Sequence, residues 1–199
     1  MARPREFDRP EALRRAMVAF WDLGYEGAST ATLVERLGIG RSSLYAAFGS
    51  KDELYEAAMD IYVQDLRVRV IGKLKVEGPA MDVLEDFFLG VASRGRPGGE
   101  PLRCCMVVRA SLTGASQFPG IRKRINTAIA EMDDAFHDLL RRARTEGTLN
   151  GSIKLRDSAR FLTTTFQALN VAALAGRDQR ALRAIIREAL TPLTQGDST

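Results

Sequence analysis

Histidine occurs once, at His137, and cysteine twice, side by side at Cys104 and Cys105. Adjacent cysteines cannot frame a small fold with disulfides. One imidazole leaves no Cys/His set with metal-ligand spacing and argues against a Ser–His–Asp triad. His137 lies beside Asp133, Asp134 and Asp138, but one imidazole among surface carboxylates is a poor transition-metal site, so a solvated face is expected. No long apolar run exists either. The longest charge-free stretch, Phe161 to Gly176, has 16 residues and includes Thr163, Thr164, Thr165, Gln167 and Asn170, too short and too polar to cross a bilayer. The opening Met1-Ala2-Arg3-Pro4-Arg5-Glu6 has no apolar leader core, and a cytoplasmic protein is expected. Gly38-Ile39-Gly40 lacks the further glycine, the lysine and the strand context of a phosphate loop. No enzyme, metal or cofactor is expected.

What is present is ordinary for a folded domain. The chain has 199 residues, of which 45% are hydrophobic and 27% charged. That suffices for a packed core in one domain or two modest ones. The net charge of +4 permits a polyanionic partner without requiring one. Nearly every segment has helical periodicity and none alternates like a strand. The fold class predicted is all-α, with about nine helices.

The first helix is expected over about 9–23, capped by Asp8 with Glu11 three residues on, carrying an apolar face of Leu13, Ala16, Met17, Phe20 and Trp21, and ending at Gly24. A second is expected over 30–37 with Ser29 as its N-cap, and a third over 41–47 after the turn Gly38-Ile39-Gly40. Ser50-Lys51-Asp52-Glu53 is a capping box that opens a fourth helix, running to about 71. Further helices are expected over 79–94, 102–114, 119–146, 156–175 and 178–193, with a loop at 94–101.

Residues 29–48 read as two short helices joined by a tight glycine turn. Leu33, Val34, Leu37, Ile39, Leu44 and Phe48 would face inward, with Phe20 and Trp21 behind them. The third helix would then expose Arg41, Ser42, Ser43, Tyr45, Ala46 and Ala47. Small and hydrogen-bonding side chains suit a helix that enters a major groove about 12 Å wide. Arg41 could donate to guanine or phosphate, Ser42 and Ser43 to base edges or phosphates, and Ala46 or Ala47 could touch thymine methyls. Tyr45 and Lys51 would meet phosphates. Arg3, Arg5, Arg9, Arg14 and Arg15 would add non-specific attraction.

In register, the chain shows Gly-Tyr at 24–25, the Ser29 cap followed by Thr30, Leu-Gly-Ile-Gly-Arg-Ser-Ser-Leu-Tyr at 37–45, Phe48 and Ser-Lys-Asp-Glu-Leu at 50–54. This pattern resembles the N-terminal domain of the TetR family of regulators over about residues 8–62. Two departures stand out: Gly40 replaces the family's usual capping serine, and Val34 replaces a typical alanine. The resemblance implies a helix-turn-helix DNA-binding domain at 1–52 and a helical effector-binding and dimerisation domain at 53–199. It implies a sequence-specific transcriptional regulator, a repressor released from operator DNA by a small molecule. DNA contacts are expected from Ser29, Thr30, Arg41, Ser42, Ser43, Tyr45, Ala46 and Lys51. The expected partners are a palindromic duplex, an unidentified small-molecule effector and a second copy of the chain, paired through the helices at 156–175 and 178–193. The first of these helices is rich in small residues (Ala168, Ala172, Ala173, Ala175), and the second carries a stripe of Leu182, Ile185, Ile186, Ala189 and Leu190.

For the effector pocket the candidates are Phe87, Phe88, Cys104, Cys105, Met106, Phe136 and Phe166, an apolar and partly aromatic set that suits a hydrophobic ligand. Phe118 belongs to the same group of middle-helix apolar residues. The alternative function is a repressor that senses oxidants or electrophiles through Cys104 and Cys105, with Arg103 and Arg109 as sources of positive charge. A buried pair acting only as small apolar residues is the simpler expectation.

Overall fold

The computed structural model describes residues 7–93 and 104–194. Arg3, Arg5, Arg103 and the expected loop at 94–101 lie outside the described residues. Among those described, the secondary structure is helical throughout: α1 (Arg9–Gly27), α2 (Thr30–Leu37), α3 (Arg41–Phe48), α4 (Lys51–Arg69), α5 (Ala80–Ala92), α6 (Met106–Ser111), α7 (Pro119–Thr145), α8 (Leu155–Leu174) and α9 (Gln179–Thr194). Short 3-10 turns follow α4 at Ile71–Lys75 and α6 at Gly114–Gln117. None of the described helices is long and apolar enough to cross a membrane.

Helix starts follow local chemistry. The Asp8 carboxylate accepts from the Glu11 N–H at 3.0 Å and the Ser29 hydroxyl from the Thr32 N–H at 3.1 Å. Asp178 does the same for Ala181 at 2.7 Å. The capping box forms in both directions: Ser50 N–H donates to Glu53 Oε2 at 2.7 Å, and Glu53 N–H to Ser50 Oγ at 3.1 Å. Glycine is required just before it. Gly49 has φ +73, and a Cβ there would stand 2.1 Å from Glu53 Oε2. Helical turns continue past the expected end of α1, but Gly24 (φ 74, ψ 175) breaks the ladder where the sequence places the stop. The helix expected over 102–114 is shorter: α6 ends at Ser111 and the chain tightens into the 3-10 turn.

The chain divides into two compact units. The first comprises residues 1–65 and 105–126, the second residues 66–104 and 127–199. Two of the three divisions fall inside helices, α4 and α7, and the third falls between Cys104 and Cys105, ahead of α6.

In the first unit, α1 packs on α2 and α6, around the fully buried Phe20, Leu33 and Met59. Arg124 ties α7 to α4. It pairs with both Asp60 oxygens at 2.6 and 2.7 Å and with Glu56 at 2.9 Å. Its Nη1 also donates to the Gly120 carbonyl at 3.1 Å. Gly120 carries no side chain where a Cβ would stand 2.1 Å from Glu56 Oε1.

Tyr55 is buried in this unit, and burial pushes its phenol up to about 12, against a smaller lowering by Arg109. The folded chain therefore keeps this proton between pH 10 and pH 12, where the unfolded chain has released it. Stability should fall as pH rises through that window, by at most about 3 kcal/mol from this group. Urea melts at stepped pH check this, and Tyr55→Phe should flatten the decline.

In the second unit, α5 packs against α8 and α9. Its centre is an aromatic cluster. The Phe87 ring lies 5.3 Å from Phe88, 5.4 Å from Phe136 and 5.5 Å from Phe166, and Phe88 stacks on Phe136 at 5.7 Å. Phe88 and Phe136 have no exposed surface. Arg67 grips Glu131 through two bonds of 2.7 Å, and Glu146 accepts from the Ala80 N–H at 2.8 Å, closing the start of α5.

A candidate nucleic-acid interface

The α2–turn–α3 segment is built from its buried side. Leu33 and Leu37 of α2 and Leu44 and Phe48 of α3 are buried, while Val34 and Ile39 are half-buried. Gly38 closes α2 in the left-handed conformation (φ 69, ψ 26), and its N–H returns to the Val34 and Glu35 carbonyls. Gly40 occupies the N-cap of α3 with no side-chain cap bond. Free N–H groups at that end are therefore left for other acceptors.

The outward face of α3 is Arg41, Ser42, Tyr45 and Ala46, all exposed. Their spacing of one and four residues puts them on one side of the helix. Ser43 and Ala47, expected on this face, are half-buried and sit at its margins. Ser29 is exposed and Thr30 half-buried at the start of α2, and Lys51 is half-buried at the start of α4.

Three of these residues are joined. Thr30 Oγ1 and the Tyr45 hydroxyl share a hydrogen bond of 3.2 Å, which links the start of α2 to α3. The Arg41 guanidinium lies 5.8 Å from the centre of the Tyr45 ring. The bond to Thr30, then that to Arg41, hold the Tyr45 phenol below its ordinary value. The exposed hydroxyl is thus fixed in direction and accompanied by a cation, an arrangement suited to a phosphate oxygen.

Lys51 is also fixed. Its ammonium sits 4.3 Å from the centre of the Tyr25 ring, and the Tyr25 hydroxyl donates to the Asp52 carboxylate. Burial first, then that bond to Asp52, push the Tyr25 phenol up to about 12, so it remains a donor at neutral pH. Tyr25 and Asp52 were not among the sequence candidates. Gly-Tyr is visible in the chain, but nothing local says that this ring lies beneath Lys51.

The basic residues behave unevenly. Arg9 donates from Nε to the Ala47 carbonyl at 3.2 Å and lies 5.0 Å from the Phe48 ring centre, so it fastens the end of α3. Arg14 pairs with Asp65 at 3.4 Å and Arg15 with Glu11 at 2.9 Å. Arg36 pairs with Asp22 at 2.9 Å and braces α2 on α1.

The pocket candidates separate. Phe87, Phe88, Phe136 and Phe166 come together as the centre of the second unit. Cys105 and Met106 belong to the first unit and Cys104 to the second, all three buried. One residue was missed: Thr163, on α8, is buried and its hydroxyl has no hydrogen-bond partner among the described residues. It stands one helical turn before Phe166, on the same side of α8. Open space in this unit includes a surface groove of about 500 Å3 between α5 and α9, walled by Asp82 and Glu85 on one side and Arg183 and Arg187 on the other. Among the described residues no group of three or more His, Cys, Asp or Glu side chains could hold a metal ion.

Two short helices at a glycine turn, with Arg41, Ser42, Tyr45 and Ala46 outward and Lys51 at the start of the next helix, define a helix-turn-helix of the kind carried by transcription regulators. Residues 12–58 match the family model described as bacterial regulatory proteins, tetR family. The chain is 30% identical over 185 residues to the uncharacterized HTH-type transcriptional regulator YezE of Bacillus subtilis strain 168, covering 92% of this chain and 94% of that one. It is 28% identical over 188 residues to the HTH-type transcriptional repressor ComR of Escherichia coli K12, covering 92% and 87%. Among solved structures, a cysteine-substituted variant of the TetR family regulator CifR, in complex with 26-base-pair operator DNA, is 33% identical, with a TM-score of 0.82 over 96% of this chain and all of that one. The chain belongs to the TetR family of transcriptional regulators.

Proposed function

We propose that this protein is a homodimeric repressor that binds a palindromic operator through α3 and leaves it when a small apolar molecule enters the second unit. The observation that carries DNA binding is the exposed α3 face of Arg41, Ser42, Tyr45 and Ala46, with the Tyr45 hydroxyl already directed by Thr30. That CifR was solved on operator DNA and that ComR is named a repressor support the same reading. Contacts to bases would come from Arg41, Ser42 and Ala46, and contacts to phosphate from Ser29, Thr30, Ser43, Tyr45 and Lys51. Residues 1–52 would form the reading domain and 53–199 the effector and dimerisation domain.

Arg41→Ala should cost about 1–3 kcal/mol of affinity for the preferred duplex and a smaller, salt-dependent amount on bulk DNA. Mobility shifts with and without competitor DNA read both quantities. Equal loss on all sequences would remove Arg41 from base recognition.

Dimerisation is supported by an apolar face left uncovered on the single chain. Phe161, Val171 and Leu174 of α8 and Ile185 of α9 are exposed, Phe161 by 53%. Phe161, Thr164, Ala168, Val171 and Ala175 recur every three or four residues, and the small ones permit close approach. Two copies of α8 and α9 would bury this stripe as a four-helix bundle. Two α3 helices one turn apart, about 34 Å, would then read both halves of a palindrome.

The effector site would centre on Phe87, Phe88, Phe136 and Phe166. These rings fill their own space, so a ligand must part them. It shifts the protein toward release only by its better affinity for the parted arrangement. The unpartnered Thr163 hydroxyl would meet a polar group on that ligand.

Thiol sensing through Cys104 and Cys105 is the second reading, supported by the use of cysteine-substituted CifR for its operator complex. Both thiols are buried here, so a reagent must open the structure to reach them. An alkylating reagent should then weaken operator binding only slowly. Complete modification with unchanged affinity would end this reading.

A further inference from the structure

We infer that Tyr25 is the positioning residue for Lys51, and that Phe118 fixes Tyr25 in turn; this rests on the DNA-binding reading above. Lysine is a flexible point charge, and holding its four-carbon stem in one place costs side-chain entropy. An exposed lysine usually meets a phosphate only after ordering. Here the ordering is present in the chain alone, because the ammonium stands 4.3 Å from the Tyr25 ring centre. A cation over an aromatic face is attracted by the ring quadrupole.

The ring itself cannot swing away. It is tilted against Tyr55 at 5.1 Å and against Phe118 at 5.1 Å, and it stacks at 6.5 Å on Phe20. Phe20 and Tyr55 are buried and meet edge to face at 4.8 Å, so this backing is part of the core. The Tyr25 hydroxyl is held by Asp52, the neighbour of Lys51. Gly24, with φ +74, turns the chain so that Tyr25 leaves the line of α1 and reaches this place.

Phe118 gives the arrangement a second consequence. It comes from the other stretch of the first unit, residues 105–126, just before α7. One face of the Tyr25 environment is thus set by that stretch and another by the start of α4. A displacement of Phe118 would free the ring, and with it the lysine.

The test uses the full-length chain and a duplex that the wild-type chain retains from random-sequence DNA. Affinity is measured over a salt series for wild type, Lys51→Ala, Tyr25→Leu, Tyr25→Phe and the Tyr25→Leu/Lys51→Ala double variant. Lys51→Ala should flatten the salt slope by about one. Tyr25→Leu should weaken low-salt binding about 2- to 5-fold and add nothing in the Lys51→Ala background, whereas Tyr25→Phe should restore the affinity. A role for Tyr25 in packing alone would lower thermal stability without a loss of affinity that depends on Lys51. If Tyr25→Leu does not fold, pentafluorophenylalanine at position 25 keeps the ring shape and removes its negative face. Compared with Tyr25→Phe it should then weaken low-salt binding about 2- to 5-fold. Unchanged low-salt affinity in Tyr25→Leu, losses that simply add, or equal binding by the phenyl and pentafluorophenyl variants would each overturn the inference alone. Failure of the wild-type chain to retain any duplex would overturn the DNA-binding reading and this inference with it.

Discussion

Phe161→Asp should convert the dimer to a monomer and lower affinity for the full palindrome by about 10^3-fold or more, toward the non-specific level. Phe161 is the most exposed large ring on α8 and begins the stripe that continues through Ala168 and Val171. Pairing two copies would bury this ring, and an aspartate in its place would bring an unpaired charge into an apolar contact. Each free chain would then hold one half-site only. Its contacts would no longer be made jointly with those of the second reader. Sedimentation equilibrium gives the mass and mobility shifts give the affinity. A variant that stays dimeric and binds normally would move the interface elsewhere.

Phe88→Ala should cost about 3–5 kcal/mol of folding stability. The ring has no exposed surface, touches Phe87 edge to face and stacks on Phe136. Both ring partners stand on helices, α5 and α7, which have little freedom to collapse into the space. Such a loss is a large share of the roughly 5–15 kcal/mol that separates folded from unfolded domains. The cavity left behind would be apolar and would take a molecule such as benzene. Added benzene should therefore raise the melting temperature of Phe88→Ala more than that of wild type. Urea melts read the loss, and a cost below about 1 kcal/mol would mean that the four rings are not the centre of this unit.

The reader was legible in the sequence because its signals are local. Ser29, the Gly38 turn, the Ser50–Glu53 capping box and the alternation of Leu33, Leu37, Leu44 and Phe48 with Arg41, Ser42, Tyr45 and Ala46 all act within one or two turns. Helix identity followed for the same reason, down to the Asp8 and Asp178 caps. What failed to show was pairing across sequence distance. Arg9 looked like one more cation of a basic arm, yet it holds the Ala47 carbonyl 38 residues away. The contact of Tyr25 with Phe118 spans most of the first unit and leaves no trace in spacing. Ser43 and Ala47 were placed on the open face by pattern, and only packing shows them at its margin. The end of α6 at Ser111 was missed because a 3-10 turn has no strong sequence signature. Thr163 was invisible as well, since threonine in a helix normally returns its hydroxyl to a backbone carbonyl, as Thr164 does to Arg160 at 2.9 Å.

Selection from random-sequence duplexes, followed by sequencing of what the chain retains, tests the DNA-reading role of α3 most directly. A regulator of this kind should enrich one palindrome whose half-sites lie about one helical turn apart, and Arg41→Ala should lose the preference at a matching position in each half. Retention of duplex with no shared sequence, or no retention over bulk competitor, would contradict it.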